Sequence, residues 1–356
     1  METPNLFTPL TLRGLTLRNR IAISPMQQYI AKDGIIGEWH YVHLGSRAVG
    51  GAGLIITECT AVSPEGMNTP DDTGLWNDEQ VQAWTPLIRF VQQQGTKIGV
   101  QLWHAGAKGS QKHFRGTFSY VTPEEGGRIT KGASPMKLND KYQSLALTLP
   151  EIRQIKSEFV LAAKRAVEAG FDTIELHGGH GYIFHQFYSA AVNHREDEYG
   201  GSFENRIRLL TETVLEVRKA IPESMPLLVR ISAVDHLEGL DAWQIEDSEQ
   251  LSIVLKEIGV DLITTSAGGF AFVDKSKVFP NYQVPYAEKI KATGMVTGAV
   301  GLITEADQAN KIITEGQADL VLIGREALRD PYFPINAARE LNLPFDLPEP
   351  YRRAYQ

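Results

Sequence analysis

A single cysteine, Cys59, in 356 residues leaves no partner within the chain for a disulfide and no thiolate set for a Cys-rich zinc or iron–sulfur centre. Positive charge is also scarce. The 35 Lys and Arg against 43 Asp and Glu give a formal net charge of −8, the wrong sign for recruiting nucleic acid or anionic lipid. No stretch approaches the roughly 18 consecutive apolar residues that a bilayer span requires. The start, Met1-Glu2-Thr3-Pro4-Asn5, lacks the basic segment and apolar run of a secretory leader. A soluble protein of a reducing compartment, the cytoplasm, is the expectation. Gly-x-Gly-x-x-Gly occurs nowhere, which removes the usual fingerprint of an open, doubly wound nucleotide-binding sheet.

What is present is an ordinary globular composition, 42% hydrophobic and 22% charged, able to bury a large core. Short runs of Ile, Val and Leu recur, each followed by a polar or Gly-rich stretch and then a longer segment of helical period. That alternation predicts parallel strands joined by crossover helices. The strands are expected at 20–26, 53–62, 97–104, 171–177, 227–232, 260–266, 295–297 and 319–323. Eight is the number of a (β/α)₈ barrel, and a barrel of this length forms one domain, here 1–356. The runs are nearly continuous rather than alternating, as in strands covered on both faces.

Three helix starts carry their own signals. Thr148 with Glu151 makes a capping box, with Pro150 in the first turn where its missing N–H costs little. Asn77 with Gln80 and Thr304 with Asp307 offer weaker versions. The segment 108–147 has no clear period and many Gly, Pro and polar residues, so it reads as a long excursion after strand 3, of the kind that covers active sites.

In such barrels the catalytic groups come from the C-terminal strand ends and the loops that follow. At the end of strand 4 stands His177-Gly178-Gly179-His180-Gly181-Tyr182. The glycines let backbone approach a ligand, and two imidazoles can donate to one oxygen; a metal pair or hydrogen-bonded histidines remain open. Tyr182 supplies a phenol that can give a proton at neutral pH. Arg230 is a permanent cation in an apolar strand, so it needs a carboxylate or an electron-rich ligand. Gln101 can pair with a planar heterocycle. Gly298 to Gly301 after strand 7 and Gly324-Arg325 after strand 8 lie where barrels bind phosphate, with Arg325 able to pair bidentately. Together they describe a phosphorylated heterocycle across the barrel mouth.

With these residues in view, the chain resembles the Old Yellow Enzyme family of FMN-dependent ene-reductases, particularly its thermophilic-like bacterial subgroup. The resemblance runs nearly end to end through Leu6-Phe7-Thr8-Pro9, Asn19-Arg20-Ile21, Ser24-Pro25-Met26, Gln101-Leu102-Trp103-His104-Ala105-Gly106 and the long stretch from Asn193 to Arg206. It implies a (β/α)₈ TIM barrel holding FMN tightly but non-covalently, reduced by NADPH or NADH and reoxidised by an activated alkene. Ser24, Pro25, Met26, Cys59, Gln101 and Arg230 would line the flavin ring, and Gly301, Gly324 and Arg325 would hold its phosphate. His177 and His180 would bind the substrate carbonyl while Tyr182 protonates the α-carbon. Tyr29, Trp103 and Gln27 would face substrate, Gln27 replacing the subgroup's usual cysteine. Trp103 stands where the subgroup has a small residue, and Ala107 where it has Arg. Arg353 in the tail would enter the site of a neighbouring subunit in a homodimer or homotetramer. A second reading is a metal-dependent barrel hydrolase or lyase using His104, His177 and His180.

Overall fold

The computed structural model describes residues 4–114, 116–140, 142–237, 241–270 and 275–355. Residues 1–3, where the reading of the N-terminus begins, lie outside the described residues, as do 115 and 141 within the predicted excursion.

Eight strands close on themselves. They are β1 (Ile21–Ile23), β2 (Leu54–Ala61), β3 (Lys97–Trp103), β4 (Thr173–Gly178), β5 (Leu227–Ser232), β6 (Leu262–Ser266), β7 (Thr297–Ala299) and β8 (Leu320–Ile323). Every neighbouring pair is parallel, and β8 pairs with β1 to complete the ring. Helices fill the crossovers, from α1 (Glu38–Val49), α2 (Asp78–Gln93) and α3 (Leu149–Ala169) onward. The predicted barrel is the observed one.

Side-chain shape sorts the two faces of the strands. Ile21, Ile23, Ile55, Val229, Ile231, Ile263, Val321 and Ile323 join the cluster under the helices, where β-branched chains suit a pleated, covered surface. The alternate residues Ala22, Leu54, Ile56, Leu228, Leu262, Leu320 and Leu322 form a separate interior cluster. That cluster also contains Leu10, Leu12, Leu15 and Leu17, from an antiparallel hairpin pairing Leu10–Leu12 with Leu15–Leu17. The hairpin closes the N-terminal end of the barrel, each buried leucine contributing roughly 1.5–3 kcal/mol. Its strands are only three residues long, too short for a period to reveal them in the sequence.

Three expectations shift. Strand 1 ends at Ile23, short of the predicted 26, where Pro25 has no N–H to give a ladder. Strand 7 runs two residues beyond the predicted 295–297, because Gly298 and Ala299 still pair with Thr264 and Thr265 of β6 and with Leu320 and Val321 of β8. A Cβ on Gly298 would stand 2.7 Å from Leu322, so glycine is what lets the ladder continue there. The helix Ala306–Thr314 is capped at Glu305 rather than Thr304. Gln308, not Asp307, reaches back to the amides of Thr304 and Glu305 at 2.9 and 3.3 Å. The other two starts stand as read: Thr148 and Glu151 cap α3, and Asn77 and Gln80 cap α2.

The excursion after β3 is more ordered than its lack of period suggests. It holds a hairpin, Gln111–Phe114 against Thr117–Tyr120, and a short parallel pair, Lys131–Gly132 with Leu145–Ala146. Lys108 Nζ ties its start to the His180 and Gly269 carbonyls of the strand-end loops, and Thr130 Oγ1 ties its middle back to the Ala107 carbonyl.

Candidate active site

The barrel interior changes from leucine to polar one layer above the hairpin. In register, Gln101 of β3 lies beside Glu175 of β4, and Thr264 of β6 beside Arg230 of β5. The Gln101 amide donates to Glu175 Oε1 at 2.7 Å, and Thr264 donates to Glu175 Oε2 at 2.8 Å. The Cys59 thiol donates to Gln101 Oε1 at 3.0 Å, brought into place by an irregularity in β2 between Ile56 and Cys59. Burial pushes both the Glu175 carboxyl and the Cys59 thiol up from their ordinary values. The Gln101 amide is therefore already held by Glu175 and Cys59.

Arg230 is buried with no carboxylate in ion-pairing distance among the described residues, and its positive charge acts on Glu175 only from farther off. One guanidinium nitrogen donates to Ser24 Oγ at 3.1 Å, while Nε is buried without a partner. Of the two partners expected for this cation, the protein supplies neither in full.

At the end of β4 the backbone turns sharply: His180 and Gly181 both adopt left-handed conformations, with φ of 55° and 74°. A Cβ on Gly181 would stand 2.6 Å from the carbonyl oxygen of Gly269. The two histidines form a directed chain. The Gly179 amide donates to His177 Nδ1 at 3.2 Å, which leaves the proton of the neutral ring on Nε2. That Nε2 lies 3.2 Å from His180 Nδ1, and His180 Nε2 lies 2.6 Å from Ser266 Oγ. Desolvation first, then the charge of Arg230, holds both rings well below the usual imidazole range, so they are neutral. In this arrangement His177 donates to His180 and His180 to Ser266, rather than both toward a common point.

Tyr182 packs edge-on against Trp103 and His177, with ring centres 4.5 and 5.1 Å apart. Burial pushes its phenol well above 10, so it keeps its proton. Lys108 Nζ sits 4.8 Å over the Tyr182 ring and donates to the carbonyls of His180 and Gly269 at 2.8 and 2.9 Å. Desolvation brings this ammonium down to about 8. Gln27 donates to Asp72 Oδ1 at 2.9 Å, and its own amide oxygen is buried and unpartnered. Asp72 also accepts from the amides of Asn68 and Thr69, yet burial lifts it to about 6. Tyr29, left-handed at φ 53°, stacks on His113 and meets Phe118 edge-on.

One cavity of about 250 Å³ runs from His180, Ser266, Arg230 and Ser24 to Gly301, Gly324 and Arg325. Gly301 has φ 127°, and a Cβ there would stand 3.0 Å from the Gln283 amide. Met26 approaches Gly324, its sulfur 4.0 Å from where a Cβ would sit, and Pro25 lies between Ser24 and Met26. Arg353 is exposed on the terminal turn Glu349–Tyr355, away from this lining. His104 turns elsewhere, its Nδ1 accepting from the Gly106 amide at 3.0 Å. Among the described residues no group of three His, Cys, Asp or Glu could hold a metal ion, so His104, His177 and His180 do not make the site of a metal hydrolase.

Lys108, Glu175 and Asp72 escaped the reading of the sequence. Glu175 sits in an apolar run as Arg230 does, and the same cost of burying a charge would have marked it. Nothing marks Lys108 in a stretch without period, and Asp72 is set by loop geometry alone.

Against known proteins, the profile of the NADH:flavin oxidoreductase / NADH oxidase family matches residues 5–344. The chain is 44% identical over 354 residues to an NADPH dehydrogenase of Bacillus subtilis, covering 98% of this chain and 99% of that protein. An NADPH dehydrogenase of Listeria monocytogenes is 42% identical, with 99% of each covered. Among solved structures, morphinone reductase in complex with tetrahydroNAD superposes with a TM-score of 0.78 at 26% identity, over 98% of this chain and 93% of that one. The old yellow enzyme homologue from Zymomonas mobilis gives a TM-score of 0.78 at 26% identity, over 97% and 94%.

Proposed function

This chain belongs to the NADH:flavin oxidoreductase / NADH oxidase family, the Old Yellow Enzyme family of FMN enzymes that use NAD(P)H, and from that premise we propose that it is an ene-reductase acting on activated alkenes such as α,β-unsaturated carbonyls. The observation that carries this reading is the single cavity joining Arg230 and His180 to Gly301, Gly324 and Arg325. An electron-rich ring at one end would meet the unpartnered Arg230 Nε, and a phosphate at the other would meet the glycine-lined turn.

The residues present fit FMN. Ser24, Pro25, Met26, Cys59 and Gln101 would line the ring, and Gly301, Gly324 and Arg325 would hold the phosphate. Arg230 would set a fixed positive charge beside the ring. FMN held by these residues would supply the hydride chemistry linking a nicotinamide to the β-carbon of the alkene.

The chain's own residues do the rest. His177 and His180 are the carbonyl-binding pair: to meet one oxygen together, His177 would turn its Nε2–H from His180, and His180 its own from Ser266. Because both rings are neutral, they would donate hydrogen bonds without delivering a proton. Tyr182, whose phenol holds its proton firmly, would protonate the α-carbon. Gln27, Tyr29 and Trp103 would bound the substrate, and Arg353 would reach the mouth of a neighbouring subunit in a homodimer or homotetramer. The chain 1–356 would act as one FMN-binding barrel domain, with the cytoplasm as its compartment; no helix among the described residues is long and apolar enough to cross a membrane.

The purified protein decides the matter. It should be yellow, release FMN on denaturation, bleach anaerobically with NADPH or NADH, and recolour on adding cyclohexenone or maleimide. Colourless protein without FMN overturns the reading; recolouring by oxygen but by no alkene overturns the ene-reductase part.

A further inference from the structure

Behind the His180–Gly181 turn lies a fully buried set of polar groups that none of the steps above employs. His185 stands on the short helix α4 (Ile183–Tyr188), directly after Tyr182. Its Nδ1 accepts the Gly181 amide at 2.9 Å, so the neutral ring must carry its proton on Nε2, and that nitrogen donates to Asp235 Oδ1. Asp235 is tied down in turn. Its other oxygen accepts from Ser189 Oγ at 2.5 Å and from the Trp243 amide at 2.8 Å. Gln186, the next residue on α4, donates to the Gly181 carbonyl at 2.7 Å. The peptide groups on both sides of Gly181 are thus fastened by side chains of one helix, and Gly181 is the only residue between the carbonyl-binding His180 and the proton donor Tyr182.

We infer that His185, fixed by Asp235, is a positioning residue that sets the angle at which Tyr182 meets substrate, acting through the hydrogen bond to the Gly181 amide. The inference rests on the proton-donor role proposed above for Tyr182. The buried carboxylate does not serve as an acid. It holds the ring in the one tautomer that can accept from Gly181, as an orienting partner does for a ligating or catalytic imidazole. A left-handed turn whose amide lost that acceptor would leave a buried N–H unsatisfied and would relax. Tyr182, one residue on, would move with it, and a displacement near 1 Å at a reacting group can cost about a hundredfold in rate.

Two substitutions separate the two faces of the ring. In His185→Gln the amide nitrogen reaches Asp235 but offers Gly181 no acceptor; in His185→Asn the side-chain oxygen replaces Nδ1 but leaves Asp235. H185Q is expected to slow alkene reduction by about tenfold to a hundredfold, and H185N to recover most of that loss. Combined with Tyr182→Phe, H185Q should add nothing, because contributions made through one group are not additive. A further loss in the double variant, or H185N as slow as H185Q, overturns the inference. Nitrogen-15 NMR of the FMN-free wild type is read alongside, and it decides if the variants do not fold: His185 should show an accepting Nδ1 and a protonated Nε2. The opposite tautomer, or a doubly protonated ring, overturns the inference. A wild type that reduces no alkene, with His185 in the expected tautomer, overturns the functional reading and leaves the brace standing.

Discussion

His177 Nε2 and His180 Nδ1 stand 3.2 Å apart as donor and acceptor, and the chain they begin ends at Ser266 Oγ, 2.6 Å from His180 Nε2. On the proposed reading, a ligand oxygen and Ser266 would compete for the same N–H. Ser266→Ala should release His180 and tighten the binding of an enone by about twofold to tenfold, the equivalent of one net hydrogen bond of about 0.5–1.5 kcal/mol. Titration of the flavin absorbance with a non-turning-over enone analogue measures it. Unchanged or weaker binding would show that Ser266 does not hold the donor back.

Tyr182→Phe removes the phenol and leaves the packing against Trp103 and His177. Alkene reduction should fall by roughly 100- to 10,000-fold, while flavin reduction by nicotinamide changes little. Stopped-flow measurement of the two half-reactions separates them, and equal losses in both would refute the assignment.

Lys108 gives a pH signature in stability. Its ammonium has fallen from 10.5 to about 8, so between those values the unfolded chain binds the more protons. The cost of burying the charge is present in full below about pH 8 and is relieved as pH rises toward 10.5, so this group contributes increasing stability across that window. Wild type should gain on Lys108→Met between pH 8 and 10.5 in denaturant midpoints taken at each pH. Parallel curves would place the lysine's titration elsewhere.

Arg230→Met replaces a buried cation whose Nε has no partner with an apolar chain of similar length. The FMN-free protein should melt no lower than wild type, since the desolvation cost is gone. FMN should bind at least about tenfold more weakly, because a charge-assisted hydrogen bond of about 1.5–3 kcal/mol is lost. Thermal melts with and without FMN, and fluorescence of released flavin, give both numbers.

Gly301 and Gly324 can be told apart by alanine. At Gly301 a Cβ is forced into φ 127° and toward the Gln283 amide, which should cost about 1–3 kcal/mol of stability in the FMN-free protein. At Gly324 a Cβ meets only ordinary contacts, 3.9 Å from Ser24 and 4.0 Å from Met26, and stability should hardly move. Chemical denaturation of the two variants is the comparison.

The barrel was legible because its determinants are local: each strand is an apolar run, and α2 and α3 announce their first turns through Asn77 and Thr148. The mouth was legible where a charge stood in an apolar run, as with Arg230, or where glycines crowded a strand end, as at 178–181. Glu175 carried that same signal, a charge in an apolar run, but what it does, like what Lys108 does, depends on partners far away in the chain. Glu175 gains its meaning from Gln101 and Thr264, and Lys108 from the carbonyls of His180 and Gly269. The His177–His180 chain escaped for another reason: sequence supplies two rings but not the Gly179 amide that decides which nitrogen carries the proton.

The leucine hairpin at the foot of the barrel bears on traffic. With Leu10, Leu12, Leu15 and Leu17 packed among the inward-facing Leu54, Leu228, Leu262, Leu320 and Leu322, that end of the barrel is solid core. On the proposed reading, nicotinamide and alkene would both enter at the strand ends and take turns there, so a high concentration of either should obstruct the other.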